Sequence, residues 1–378
     1  MSSSDLLKSS AALLASSISL LANAASLEVQ PLAAWPVDSA ALVARAVGRV
    51  EQRPGERGWR YQWPGTYFEA RFSGTMVYVD LGSGDKHARV SIDNREMVDV
   101  MRPALAVLRI RGLPPGEHVV RVDIVSESQD GAQVFGGFAV PDQAAALQPR
   151  VRGRAIEFIG DSYTVGYGAA STSRECSVEE VWRTTDNSLA FGPRVAGRFD
   201  ADYRINAISG RGMVRNFSNE AGLTLPAAYA HLLPADPLPA ADADDPNWSP
   251  QLFVVGLGTN DFSTPIGAGE PWVDAAGLSA DFERKYVAFV RSVRHRHPAA
   301  QFILLATDVA DGAVERSVQR VRELLVKEGV PVAKVVDLGP LALDGCDWHP
   351  SSADQEKIAH RLAAVIESML PEWRQGSD

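Results

Sequence analysis

The run Ala155-Ile156-Glu157-Phe158-Ile159-Gly160-Asp161-Ser162-Tyr163 decides the architecture. It reads as a short apolar strand that stops at a glycine and gives way to polar residues opening a helix. Two later runs, Leu252-Phe253-Val254-Val255-Gly256-Leu257 and Phe302-Ile303-Leu304-Leu305-Ala306, are apolar without alternation, as expected of strands covered on both faces. Helical segments are predicted between and after them, over residues 280–297, 312–328 and 352–370. The last should open on a capping box, Ser352 with Gln355, and present Ile358, Leu362, Val365, Ile366 and Met369 as one apolar face. Strands alternating with helices predict a parallel sheet between helix layers, here over residues 152–375. Such a sheet holds ligands beyond the carboxyl ends of its strands.

Upstream the period changes. Tyr67-Phe68-Glu69-Ala70-Arg71-Phe72 and His118-Val119-Val120-Arg121-Val122-Asp123-Ile124-Val125 alternate, and turns such as Gly82-Ser83-Gly84-Asp85 punctuate them. Period-two runs with almost no helical stretch predict an antiparallel β-sandwich over residues 40–145. A linker rich in Ala, Gln and Pro separates the two halves, so the 378 residues form two domains.

The first residues read as a targeting segment, with Lys8, an apolar run and Ala22-Asn23-Ala24 as a cleavage pattern. The expectation is a signal peptide over residues 1–24 and a secreted or periplasmic protein. That run is too short to span a bilayer, which needs about 20 apolar residues. Export suits Cys176 and Cys346, the two cysteines, which can then form one disulfide. A net charge of -10, from 47 acidic against 37 basic residues, argues against nucleic acid as a partner. The acidic run Asp242, Asp244, Asp245 lacks the Gly and distal Glu of a calcium loop and reads as solvated. No metal site is expected.

Ser162 stands where a hydroxyl is exposed at the sheet's end, with its N–H at the positive end of a helix. Alone, it would be an ordinary helix cap. A Ser nucleophile needs a base, and of the seven histidines only His349 lies in an irregular segment after a predicted strand, Asp344-Gly345-Cys346-Asp347-Trp348-His349-Pro350. Oxyanion donors are the third requirement. Gly258-Thr259-Asn260-Asp261 offers an amide, and Ser209-Gly210-Arg211-Gly212 offers backbone N–H groups; either alone is turn chemistry. The G-x-S-x-G elbow is absent.

Taken in order, Gly160-Asp161-Ser162, Ser209-Gly210, Gly258-Thr259-Asn260-Asp261 and Asp347-Trp348-His349-Pro350 resemble the four blocks of the GDSL/SGNH hydrolase superfamily. With the upstream sandwich, the whole is similar to carbohydrate esterase family 2. That resemblance implies a jelly-roll-like sandwich followed by an α/β/α SGNH domain, and removal of acetyl groups from plant polysaccharides such as xylan or glucomannan. It implies Ser162 as nucleophile, His349 as base, an oxyanion hole of Ser162 N–H, Gly210 N–H and the Asn260 side chain, and no cofactor. The family's usual D-x-x-H is D-x-H here, so either Asp347 or a backbone carbonyl orients His349. A Cys176–Cys346 bridge would tie the loop after the nucleophile to the base loop; free thiols are the alternative. Trp348, Trp248 and Trp182 are candidates to stack on sugar rings, or to pack. The rival readings are a lipase or thioesterase of the same superfamily and a non-catalytic carbohydrate-binding protein.

Overall fold

The computed structural model describes residues 27–374 apart from 54–56, 105–106 and 236–244. The expected signal peptide therefore lies outside the described residues, as do Asp242 and Asp244. Asp245 is not freely solvated, since it pairs with the Arg204 guanidinium.

The first domain is two large antiparallel sheets face to face, with a small third sheet of residues 133–135, 59–61 and 50–51. One has the strand order 28–32, 107–111, 76–80, 137–141, 39–41; the other runs 145–147, 67–73, 117–124, 87–92, 95–101, with 44–47 also paired on 67–73. Alternate residues of the inner strands, among them Phe68, Phe72, Val77, Val79, Val120 and Val122, fill the space between the sheets. The strand Glu28–Leu32 pairs with Val107–Arg111, so the first sheet begins before residue 40, where the sequence reading opened the domain.

The second domain is a five-stranded parallel sheet: β1 (Arg154–Gly160), β2 (Ala201–Ala207), β3 (Leu252–Gly256), β4 (Gln301–Ala306) and β5 (Val332–Asp337), in the order β2-β1-β3-β4-β5. Helices Phe191–Arg198 and Ser352–Met369 cover one face, on Phe158, Ile205 and Val254. Helices Ala275–Arg296 and Val309–Lys327 cover the other, on Ile159, Phe253 and Val255. Neighbouring residues of one strand thus enter opposite cores, which is why these strands show no polar alternation. Among the described residues no helix is long and apolar enough to cross a membrane.

The C-terminal helix is capped one residue earlier than its sequence suggests. Ser351 is the N-cap, while Ser352 accepts from Arg194. Gln355 is buried rather than capping: its Oε1 accepts from Phe191 N (2.9 Å) and its Nε2 donates to Tyr163 O (3.0 Å). This ties the helix to the residue after Ser162.

The domains share a charged seam. Asp202 on β2 accepts from Arg45 and from the Tyr67 hydroxyl of the sandwich, and Arg152 bridges Asp202 and Glu69. Although burial pushes the Asp202 carboxyl up, these partners hold it below the usual carboxylate range. Asn187 N also donates to Val125 O of the sandwich (2.8 Å).

Candidate active site

The strand order reverses direction between β1 and β3, which makes a crevice at their carboxyl ends. Ser162 follows β1, Asn260 follows β3, and the Ser209–Gly210 turn follows β2, anchored by Ile208 N donating to Gly160 O. The topology thus gathers three segments far apart in the chain.

Ser162 opens the short helix Ser162–Val165, whose N-cap Asp161 accepts from Tyr163 N (3.1 Å). Asp161 is buried, and burial together with the Asp261 charge pushes its carboxyl up to about 7. His349 Nε2 lies 2.8 Å from Ser162 Oγ. Its Nδ1 lies 3.0 Å from Cys346 O and 3.1 Å from Asp347 O. Carbonyl oxygens only accept, so Nδ1 carries the proton and the Nε2 lone pair faces the serine hydroxyl. Burial lowers the His349 pKa below its ordinary value, partly offset by those carbonyls and by the Asp347 charge.

Asp347 was one of two expected orienters, and its side chain does not take that role. The carboxylate accepts from Tyr167 Oη at 2.8 Å, and the two backbone carbonyls do the orienting. Asp347 and Trp348 both have left-handed backbone, φ 51° and 56°, within a turn closed by Gly345 N donating to His349 O (3.0 Å). Such conformations are uncommon outside glycine and are maintained only by surrounding structure. Here the support is the loop after Ser162. Cys176 is disulfide-bonded to Cys346. Arg174 donates to Leu343 O and Ala342 O and pairs with Asp344, and Arg174 O accepts from Asp347 N. Gly168, at φ 57°, sits so close to the bridge that a Cβ there would lie 2.5 Å from Cys346 Cβ. The Tyr167 ring lies against the imidazole, with centroids 4.3 Å apart.

Across the crevice, Asn260 Nδ2 donates one hydrogen to Arg211 O (2.9 Å), leaving its second available. Asp261, buried and pushed up to about 6 by burial, accepts from Met213, Val214 and Arg215 N–H groups. These bonds fix the chain beyond Gly210. Among the described residues Gly210 N–H makes no hydrogen bond, and the Ser162 N–H is an unpaired first-turn donor.

A family profile for the carbohydrate esterase 2 N-terminal domain matches residues 46–149. A second, for the GDSL-like lipase/acylhydrolase family, matches residues 158–370. An acetylxylan esterase/glucomannan deacetylase of Cellvibrio japonicus (strain Ueda107) is 36% identical over 316 residues, 83% of this chain and 87% of that protein. The chain belongs to carbohydrate esterase family 2. A solved carbohydrate esterase whose active site displays divergent catalytic and non-catalytic binding functions superposes with a TM-score of 0.82 at 35% identity, over 88% of this chain and 100% of the other. A family two carbohydrate esterase from Clostridium thermocellum, solved with cellohexaose, gives 0.76 at 26% identity over 88% and 100%.

This family 2 esterase is therefore a carboxylic ester hydrolase, and the three tryptophans singled out from its sequence divide. Trp348, beside His349, is 56% exposed. Trp182 borders a cavity of about 290 Å³ that also touches Tyr167, Gln129 and Gln133, and the Arg102 guanidinium covers its ring at 3.8 Å. Trp248 is not at the site. It precedes β3, at the amino end of the sheet, where its Nε1 donates to Glu157 (2.6 Å) and Arg204 lies over its ring. The sequence reading did not single out Tyr167, Arg174 or Asp261 as site residues. Only Asp261 carried a local signal, its place beside Asn260; the other two act through contacts about 170–180 positions away.

Proposed function

We propose that this esterase removes small acyl groups, acetyl foremost, from plant-type polysaccharides such as xylan or glucomannan, through a Ser162 acyl-enzyme. The observation that carries the reading is the 2.8 Å approach of His349 Nε2 to Ser162 Oγ, with Nδ1 held as donor. Ser162 Oγ attacks the ester carbonyl while Nε2 takes its proton. The negative charge on the tetrahedral oxygen falls to Ser162 N–H, Gly210 N–H and Asn260 Nδ2. As the C–O bond to the sugar breaks, His349 gives its proton to the departing oxygen, and water repeats the sequence on the acyl-enzyme. The choice of acetyl and polysaccharide is supported by the acetylxylan esterase/glucomannan deacetylase relative, and the exposed Trp348 beside the base is suited to stack on a sugar ring. The disulfide favours an oxidising compartment and so supports export.

Acetate release from acetylated xylan and glucomannan tests this. Ser162→Ala should lower kcat by roughly 10⁴–10⁶-fold while the protein still binds the glycan. Retention of activity by that variant, or faster turnover of p-nitrophenyl octanoate than of the acetate, would reject the reading.

A further inference from the structure

The sandwich reaches the reacting end of the second domain beside Ser209. Just beyond its strand Glu117–Ile124, Glu127 Oε1 accepts from Ser209 N at 2.7 Å. Two residues on, Gln129 Nε2 donates to Ser209 O at 3.3 Å and to Glu127 Oε1 at 3.2 Å. Both sides of residue 209 are thus gripped from the other domain. The Ser209 carbonyl and the Gly210 N–H belong to one planar trans peptide, in which C=O and N–H point in opposite directions. A donor on Ser209 O therefore fixes where the Gly210 N–H points, and further polarises it. Gly210 has φ 79°, in the left-handed region that glycine enters without penalty, so its own conformation offers little resistance to a flip of that peptide. The restraint must come from outside the turn.

We infer that Glu127 and Gln129 are positioning residues for the oxyanion hole, so that the sandwich domain completes the catalytic centre. This rests on the reading of Gly210 N–H as an oxyanion donor. The half-buried Glu127 carboxyl is pushed up by burial, partly offset by the Ser209 N–H.

The test is steady-state hydrolysis of p-nitrophenyl acetate by Glu127→Ala, Glu127→Gln and Gln129→Ala, with inhibition by a small alkyl boronic acid that forms a tetrahedral adduct on Ser162. Glu127→Ala should lose roughly 10–100-fold in kcat, less than deletion of an oxyanion donor, with KM within about two-fold. Its boronate affinity should fall in parallel. Glu127→Gln keeps an oxygen to accept from Ser209 N and should stay within about three-fold of wild type. Gln129→Ala, at an exposed residue, should lose roughly 3–10-fold in kcat and decides the matter if Glu127→Ala fails to fold. Unchanged kcat in a folded Glu127→Ala or in Gln129→Ala, or an equal loss in Glu127→Gln and Glu127→Ala, would overturn the inference. Such a result with Ser162→Ala still inactive leaves the esterase mechanism standing, so the two failures are distinguishable.

Discussion

The Asp347 carboxylate hydrogen-bonds the Tyr167 hydroxyl at 2.8 Å, while the imidazole of His349 is oriented by the carbonyls of Cys346 and Asp347. In a carboxylate-oriented triad, Asp→Asn reverses the tautomer preference and costs about 10⁴ in kcat. Here Asp347→Asn keeps both backbone acceptors, so kcat should fall less than about ten-fold by that contrast. Stopped-flow or steady-state turnover of p-nitrophenyl acetate measures it, and a loss near 10⁴ would show that the carboxylate does act on the base.

The pH profile follows from the same site. Burial, the largest influence, holds the His349 pKa below 6.5, and in the proposed mechanism the free base is the active form. Activity should rise with pH through an apparent pKa below 6.5 and then level off. The Asp347 charge opposes the shift, so Asp347→Asn should move the acidic limb of kcat/KM to still lower pH. A limb that stays put or moves up would contradict this electrostatic account.

Trp348 is exposed beside His349. If its ring stacks on the sugar that carries the ester, Trp348→Ala should raise KM for acetylated xylan roughly 3–10-fold, the equivalent of about 1 kcal/mol of aromatic contact. Turnover of p-nitrophenyl acetate should be unaffected. Equal losses on both substrates would assign Trp348 to the base loop's geometry instead.

The Cys176–Cys346 link closes a segment of 170 residues. The chain-entropy model gives it about 5 kcal/mol, which for a chain this long corresponds to a Tm lower by roughly 3–7 °C in Cys176→Ser/Cys346→Ser. Because the bridge joins the loop after Ser162 to the turn that carries His349, kcat should fall with stability. Calorimetry and acetate release on the double variant, or on dithiothreitol-treated protein, measure both.

The strands of both domains are legible in the sequence because burial imposes a pattern on each: alternation in the sandwich, unbroken apolar runs in the parallel sheet. Ser162 and His349 are legible because four short blocks, each after a strand and in a fixed order, resemble the pattern of the SGNH superfamily, whereas either residue alone reads as ordinary turn or cap chemistry. The direction of the Asp347 side chain is not, since it depends on left-handed backbone at two non-glycine residues that nothing in the sequence period reports. The place of Trp248 is legible as well: it stands four residues before the strand Leu252–Gly256, and in a parallel sheet the residues that lead into a strand lie at its amino end, away from the crevice. Glu127 and Gln129 lie at the end of a sandwich strand, and only the docking of the two domains gives them a partner at Ser209.

The seam of Arg45, Tyr67, Glu69, Arg152 and Asp202 sets a condition on how such a chain can change over evolutionary time. Splitting it into modules would take Arg45 from Asp202 and Arg152 from Glu69, leaving each buried acid with a single cation, Arg152 and Arg121 respectively, and removing a partner from a buried charge costs up to about 3–5 kcal/mol. A hydrolase half joined to a foreign sandwich would face the same deficit until its acids were replaced. The two halves are therefore expected to be inherited as one piece, unlike appended binding modules that move freely between enzymes.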